Sequence, residues 1–264
     1  SVVRERDWLD EATLWEATYK AVPQSPRAAY NYGLVLTNRG EHQRAIPYYE
    51  ETIQRDPTFV KAYFNLASTY ATLGRIDDAR DVYRAALASD IGESARSWHL
   101  SPDVVVAMYQ TELAWLNAQS GETAGARDDL AGILSRQPDM LRTQEFYASV
   151  LQMRGEIPQT IADLTSRVAA NPASMADRAV LASLLWKTGR LDDARTQLEV
   201  IYQKNQNSPF ANLYLGRYYR EVRAGNPQTS TTAADYFAKA ETYALTPFDI
   251  ETVKRAAAGG PPRA

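Results

Sequence analysis

Cysteine is absent from the 264 residues. That excludes disulfides, thiolate nucleophiles and Cys-ligated zinc or iron–sulfur centres together. Histidine is scarce: only His42 and His99 occur, so a Ser/His/Asp triad or a His-rich metal site would have to use one of them. Neither has a second ligand at metal spacing, and the sequence carries no Gly-rich phosphate loop and no nucleophile elbow. Long apolar runs are missing too. The strongest, Val104 to Met108, falls far short of the ~20 residues a membrane helix needs. A net charge of −3 gives no whole-molecule field to gather nucleic acid or an anionic membrane. The chain opens on Ser-Val-Val-Arg rather than Met, without an apolar leader, and reads as a mature or excised segment. These shortages set the expectations of no catalytic residue, no metal, no cofactor and no nucleic-acid partner.

What the sequence does have is a period. Gly33, Gly40, Ala45 and Tyr49 recur 34 residues later as Ala67, Gly74, Ala79 and Tyr83. A second series at the same step runs Gly121, Gly155, Gly189, accompanied by Ala114, Ala148, Ala182 and Gly216. The two series are out of phase, because Gly74 and Gly121 are 47 residues apart, one period and 13 more. An insertion of that length is therefore expected near 89–103. The related heptapeptides that begin at Gly74 and Gly189, both ending in Asp-Asp-Ala-Arg, carry the same offset.

Each recurring position has a physical reason. A small residue midway along one helix lets the next approach closely, and the following Gly permits a tight turn. Tyr49, Tyr83, Leu130, Leu164, Leu198 and Phe237 supply the large core residues, while Pro23, Pro57, Pro138 and Pro172 close repeats. This spacing resembles the tetratricopeptide (TPR) repeat. The expected fold is all-α, a right-handed superhelical solenoid of TPR helix-turn-helix repeats. The expected layout is a capping helix in 1–25, an array of about six repeats over 26–256 and a disordered tail over 257–264. Repeats should begin near Pro26, Val60, Ala107, Leu141, Met175 and Pro209, with Ser101-Pro102 lengthening the third and a long turn from Ala224 to Thr231 in the sixth. Thr246-Pro247 reads as the start of a last helix that covers the end of the core.

The opening Arg6-Asp7-Trp8-Leu9-Asp10-Glu11-Ala12-Thr13-Leu14-Trp15, with Pro23, Arg27-Ala28 and Asn31-Tyr32-Gly33 after it, resembles a narrower group. It is similar to the junction between membrane helices and repeat array in glycosyltransferase-C proteins of the TMTC-like O-mannosyltransferase type. The resemblance implies a membrane-anchored parent with this array on its periplasmic or lumenal face; without it the chain reads as cytoplasmic. The membrane half, which would carry the sugar chemistry, has no counterpart in these residues. The alternative is that Trp8 and Trp15 cap the first core surface.

In repeats of this kind the first helices line a concave surface. Asn31 and Asn65 share one slot, Arg27 and Lys61 another, Tyr30 and Phe64 a third. An Asn offers donor and acceptor, so stacked Asn residues can clamp a peptide backbone. They resemble the asparagine ladder of the O-linked N-acetylglucosamine transferase repeats and, less closely, the carboxylate clamps of chaperone-binding repeats. The ladder ends there, since the later slots hold Glu112, Phe146, Val180 and Tyr214. Trp115 and Trp186 also fall at groove-facing positions and would suit anchoring a partner's side chain or packing in the core. Arg217 and Arg220, with Arg223, Tyr218 and Tyr219, form a second, basic patch; its spacing equally suits a helix with Tyr219 in the core and arginines on a solvated edge. The pairs Asp77-Asp78 and Asp192-Asp193 read as helix-start charges rather than metal ligands.

The sequence thus points to a protein-interaction scaffold that binds a partner polypeptide in the groove and is not itself an enzyme. The alternative is an accessory domain that positions acceptor protein for a membrane-bound glycosyltransferase. Nothing in the chain sets an oligomeric state.

Overall fold

The computed structural model describes residues 13–98, 100–222 and 227–259, and these residues are helical with no strand. They fall into two compact units, residues 1–116 and 117–264. Trp8, His99, Arg223 and the tail from residue 260 lie outside the described residues.

The first unit holds α1 (residues 13–21), α2 (Pro26–Asn38), α3 (His42–Arg55), α4 (Val60–Thr72), α5 (Ile76–Leu87), α6 (Ile91–Trp98) and most of α7 (Pro102–Gln119). Helix α2 packs on α3, α3 on α4, and α4 on α5. The turns inside these pairs use Gly40 and Gly74 at φ 77° and 74°, a left-handed conformation that side chains disfavour. Gly33 has a different task. A Cβ there would meet the Tyr49 ring at 3.0 Å, so the missing side chain lets a fully buried tyrosine reach the neighbouring helix. Burying a side chain of that size stabilises by roughly 1.5–3 kcal/mol.

The insertion is structured. Helix α6 occupies it, started by Asp90, whose Oδ1 accepts the Glu93 N–H at 3.1 Å. The sequence pattern held that signal, an Asp followed three residues later by Glu, but the reading above assigned the insertion only to a longer third repeat. Helix α7 is indeed longer, 18 residues, and starts at Pro102 rather than Ala107.

The second unit holds α8 (Thr123–Arg136), α9 (Leu141–Arg154), α10 (Ile157–Ala170), α11 (Met175–Lys187), α12 (Leu191–Lys204), α13 (Pro209–Glu221), α14 (Pro227–Thr242) and α15 (Pro247–Ala257). Neighbours pack in sequence, and α9 also packs on α11. Ser174, Ser208 and Thr246 cap α11, α13 and α15 by accepting a backbone N–H, with Pro209 and Pro247 opening the latter two. Helix α14 begins at Pro227, so the sixth inter-helix turn is shorter than the expected 224–231. Helix α15 covers α14 and α13, as an end cap should, and also reaches back to α9. Val253 and Ala256 from α15 join Phe210, Leu198 and Leu141 in one buried cluster.

Candidate functional site

In the first unit, α2 has a side-chain cap at its start and α4 has none. Ser25 caps α2 with its Oγ 3.3 Å from the Ala28 N–H. Ahead of α4, Asp56 turns the chain: its Oδ1 accepts the Thr58 N–H at 3.0 Å and the Thr58 hydroxyl at 2.6 Å. Arg27 and Lys61 are then the second residues of their helices, and both are exposed.

Between them lies a depression of about 340 Å³ lined by Arg27, Tyr30, Asn31, Asp56, Thr58, Phe59, Val60 and Lys61. Its floor is aromatic, with the Tyr30 ring tilted against Phe59 at 4.8 Å. Burial pushes the Tyr30 phenol up to about 12, so at neutral pH it is a neutral hydroxyl. The depression thus combines an apolar floor with an amide and two cations at the rim beside one carboxylate.

Four of the residues singled out from sequence meet there: Arg27, Tyr30, Asn31 and Lys61. The others go elsewhere. Asn65 donates its Nδ2 to the Tyr30 hydroxyl at 3.0 Å, so its amide is engaged within the chain. Phe64 is 5% exposed and stacks on Tyr109 at 4.8 Å, with Tyr83 edge-on at 5.6 Å. It packs in the core, which corrects its assignment to the groove. Trp115 is half-buried on α7 and lines no part of the depression. Sequence reasoning overlooked Asp56, Thr58 and Phe59, although an Asp-Pro-Thr turn before a helix start was visible in it.

In the second unit, half-buried Trp186 packs on the α13 core and meets Tyr214 edge-on at 5.2 Å. The Arg217 guanidinium lies 5.0 Å from the Trp186 ring. Arg220 is a strut rather than part of a free basic patch. It donates to the Ala256 carbonyl of α15, pairs with Glu221 at 2.8 Å and lies over the Phe237 ring. The core tyrosine of α13 is Tyr218, fully buried, whereas Tyr219 is half-buried and stacks on Tyr236 at 5.7 Å. The acid pairs sit in the first turns of α5 and α12, where Arg75 holds Asp78 at 2.6 Å and Arg190 holds Asp193 at 2.8 Å.

Burial raises two carboxylates of this unit, the fully buried Asp249 and the half-buried Asp139. Asp249 on α15 accepts the Arg142 N–H of α9 at 3.3 Å, and burial pushes its carboxyl up to about 6. Burial also raises Asp139, which accepts from the Ser208 hydroxyl.

A sequence profile of the tetratricopeptide repeat matches residues 3–59 and 39–95, and a second profile of the same repeat matches residues 178–199. The human protein O-mannosyl-transferase TMTC3 is 29% identical over 83 residues, which is 31% of this chain and 9% of that protein. The photosystem I assembly protein Ycf3 of Acaryochloris marina is 28% identical over 74 residues, 28% of this chain and 40% of that protein. This chain therefore matches under half the length of either relative. A tetratricopeptide-repeat protein from Parabacteroides merdae superposes at a TM-score of 0.49 with 17% identity, over 97% of this chain and 94% of that one. Helix pairs at a 34-residue step, beginning at 26 and 60 and again at 141, 175 and 209, with profile matches in both units, identify tetratricopeptide repeats in this chain.

Proposed function

We propose that the chain is an interaction scaffold that holds a partner polypeptide, and that the first unit grips it at the depression between α2 and α4. The observation that carries this reading is the convergence of Arg27, Asn31 and Lys61 around the Tyr30–Phe59 floor. Preformed helices hold these groups in place, so little ordering free energy is spent when a peptide arrives. Asn31 can donate to and accept from a peptide backbone, and the two cations favour a segment carrying a carboxylate.

Panning a random peptide library on the chain tests the reading. Selected peptides should bind about tenfold or more weakly to Arg27→Ala combined with Asn31→Ala, a loss of about 1.4 kcal/mol. A pool in which no selected peptide loses affinity for the double variant would overturn it.

A second reading is favoured by the likeness to the O-mannosyl-transferase and by the Trp8 to Trp15 opening. In it the array presents acceptor protein to a membrane-bound transferase. Membrane helices encoded directly upstream of residue 1 would support it; a lipid-anchor signal in that place would sink it.

A further inference from the structure

Helix α10 is seated differently from the other second helices. At one repeat slot α3, α5, α8 and α12 place an alanine, Ala45, Ala79, Ala126 or Ala194, each exposed by 1% or less. In that slot α10 has half-buried Thr160, whose hydroxyl turns back onto its own helix and donates to the Glu156 carbonyl at 2.9 Å. A larger side chain at a close contact sets helices further apart, and α10 packs mainly on α11, while α9 packs on α8 and α11. Residues of all four helices line a cleft of about 220 Å³. Its apolar walls are Leu134, Leu164 and Val180, all buried.

The hydroxyls on this cleft are engaged, with one exception. Ser135 donates to the Gly132 carbonyl at 2.8 Å, and Ser174 donates to the Asp177 carboxylate at 2.8 Å. Tyr147 also lines the cleft and is only 8% exposed, yet its hydroxyl has no hydrogen-bond partner among the described residues. Burial raises the phenol, so at neutral pH it keeps its proton and can donate. A buried donor without a partner costs free energy that an acceptor on a ligand restores. The charges at the cleft are already matched, because exposed Arg167 pairs with Asp177.

We propose that the cleft binds a small uncharged molecule with one apolar ring and one hydrogen-bond acceptor, the ring against Leu134, Leu164 and Val180 and the acceptor on the Tyr147 hydroxyl. Size sets the class: an apolar cavity of about 150 Å³ holds benzene, so about 220 Å³ accommodates a ring with a short substituent. Charge narrows it further. An anion would have to compete with Asp177 for Arg167, whereas an uncharged acceptor leaves that pair intact. Apolar walls with one aimed polar group are the usual make-up of a small-ligand site.

Ligand-observed NMR titration with acetophenone tests this, against benzoate, which adds a charge, and propylbenzene, which lacks the acceptor. Acetophenone should bind saturably and more tightly than either. Tyr147→Phe keeps the ring and removes the donor. It should weaken acetophenone about fivefold or more, to the level of propylbenzene, and should keep the parent's melting temperature, since no group of the chain loses a bond. Ala131→Leu fills the cleft from α8 and should abolish binding of both uncharged probes. Arg27→Ala, in the other unit, should change nothing, which separates this site from the depression proposed above. Absence of saturable acetophenone binding overturns the proposal. So does unchanged affinity in Tyr147→Phe and Ala131→Leu, benzoate binding as tightly as acetophenone, or a loss of binding in Arg27→Ala.

Discussion

Arg27 in the first unit and Arg142 in the second hold the same position of the repeat, the second residue of a first helix, and meet opposite fates. Arg27 is exposed at the rim of an open depression. Arg142 is half-buried over Phe146, and its backbone N–H is capped by Asp249 from a helix more than 100 residues further along. The repeat dictates where a first-helix residue starts; a remote segment decides whether it stays available. In the second unit that segment is α15, which reaches from α13 and α14 back to α9. Two consequences of this difference bear on stability and two on the role of the shared slots.

The largest effect is expected in the cluster that fastens α15. Phe210, fully buried, touches the α13–α15 core, and Phe210→Ala should cost roughly 3–5 kcal/mol through lost burial and a residual cavity. Urea unfolding would measure it. A loss below about 1 kcal/mol would mean that the second unit collapses around the site and is less rigidly packed than its burial implies.

A smaller effect comes from Asp249 itself. Its folded-state carboxyl is raised to about 6 from an ordinary 3.8, so its favourable contribution is complete below about 3.8 and is lost as pH rises through about 6. Burial raises Asp139 and Glu145 in the same direction. The melting temperature should therefore gain more between pH 7 and pH 5 in the parent than in Asp249→Asn, whose amide does not titrate. Parallel pH profiles for the two would show that α15 is not held through this carboxylate.

Much of this was legible in the sequence, for a reason visible in particular residues. Gly40, Gly74 and Gly189 sit at φ 77°, 74° and 78°, and Gly33 and Gly216 face aromatic rings at 3.0 and 3.1 Å. Few residue types satisfy such backbone and contact demands, so the period survives as letters. The fate of polar slots is not encoded that way. Asn31 and Asn65 are the same letter in the same slot, yet the second is bonded to Tyr30 from the preceding repeat. Likewise Arg220 and Arg217 looked like one basic patch. Their roles as strut and ring-stacked cation depend on where α15 and Trp186 lie, which only the packed chain specifies.

The two asparagines sharpen that point. Asn65→Ala removes the donor to a buried tyrosine hydroxyl and should cost about 1 kcal/mol in thermal or urea unfolding, the usual worth of such a bond. Asn31→Ala with Arg27→Ala should change stability by less than about 0.5 kcal/mol, as surface substitutions do, since Arg27 is exposed and Asn31 half-buried at the depression. The same pair should weaken peptide binding to the first unit about tenfold or more. If the pair instead costs more than Asn65→Ala, both asparagines are packing residues, the depression is a by-product of helix spacing, and the contrast between the units reduces to the presence of α15.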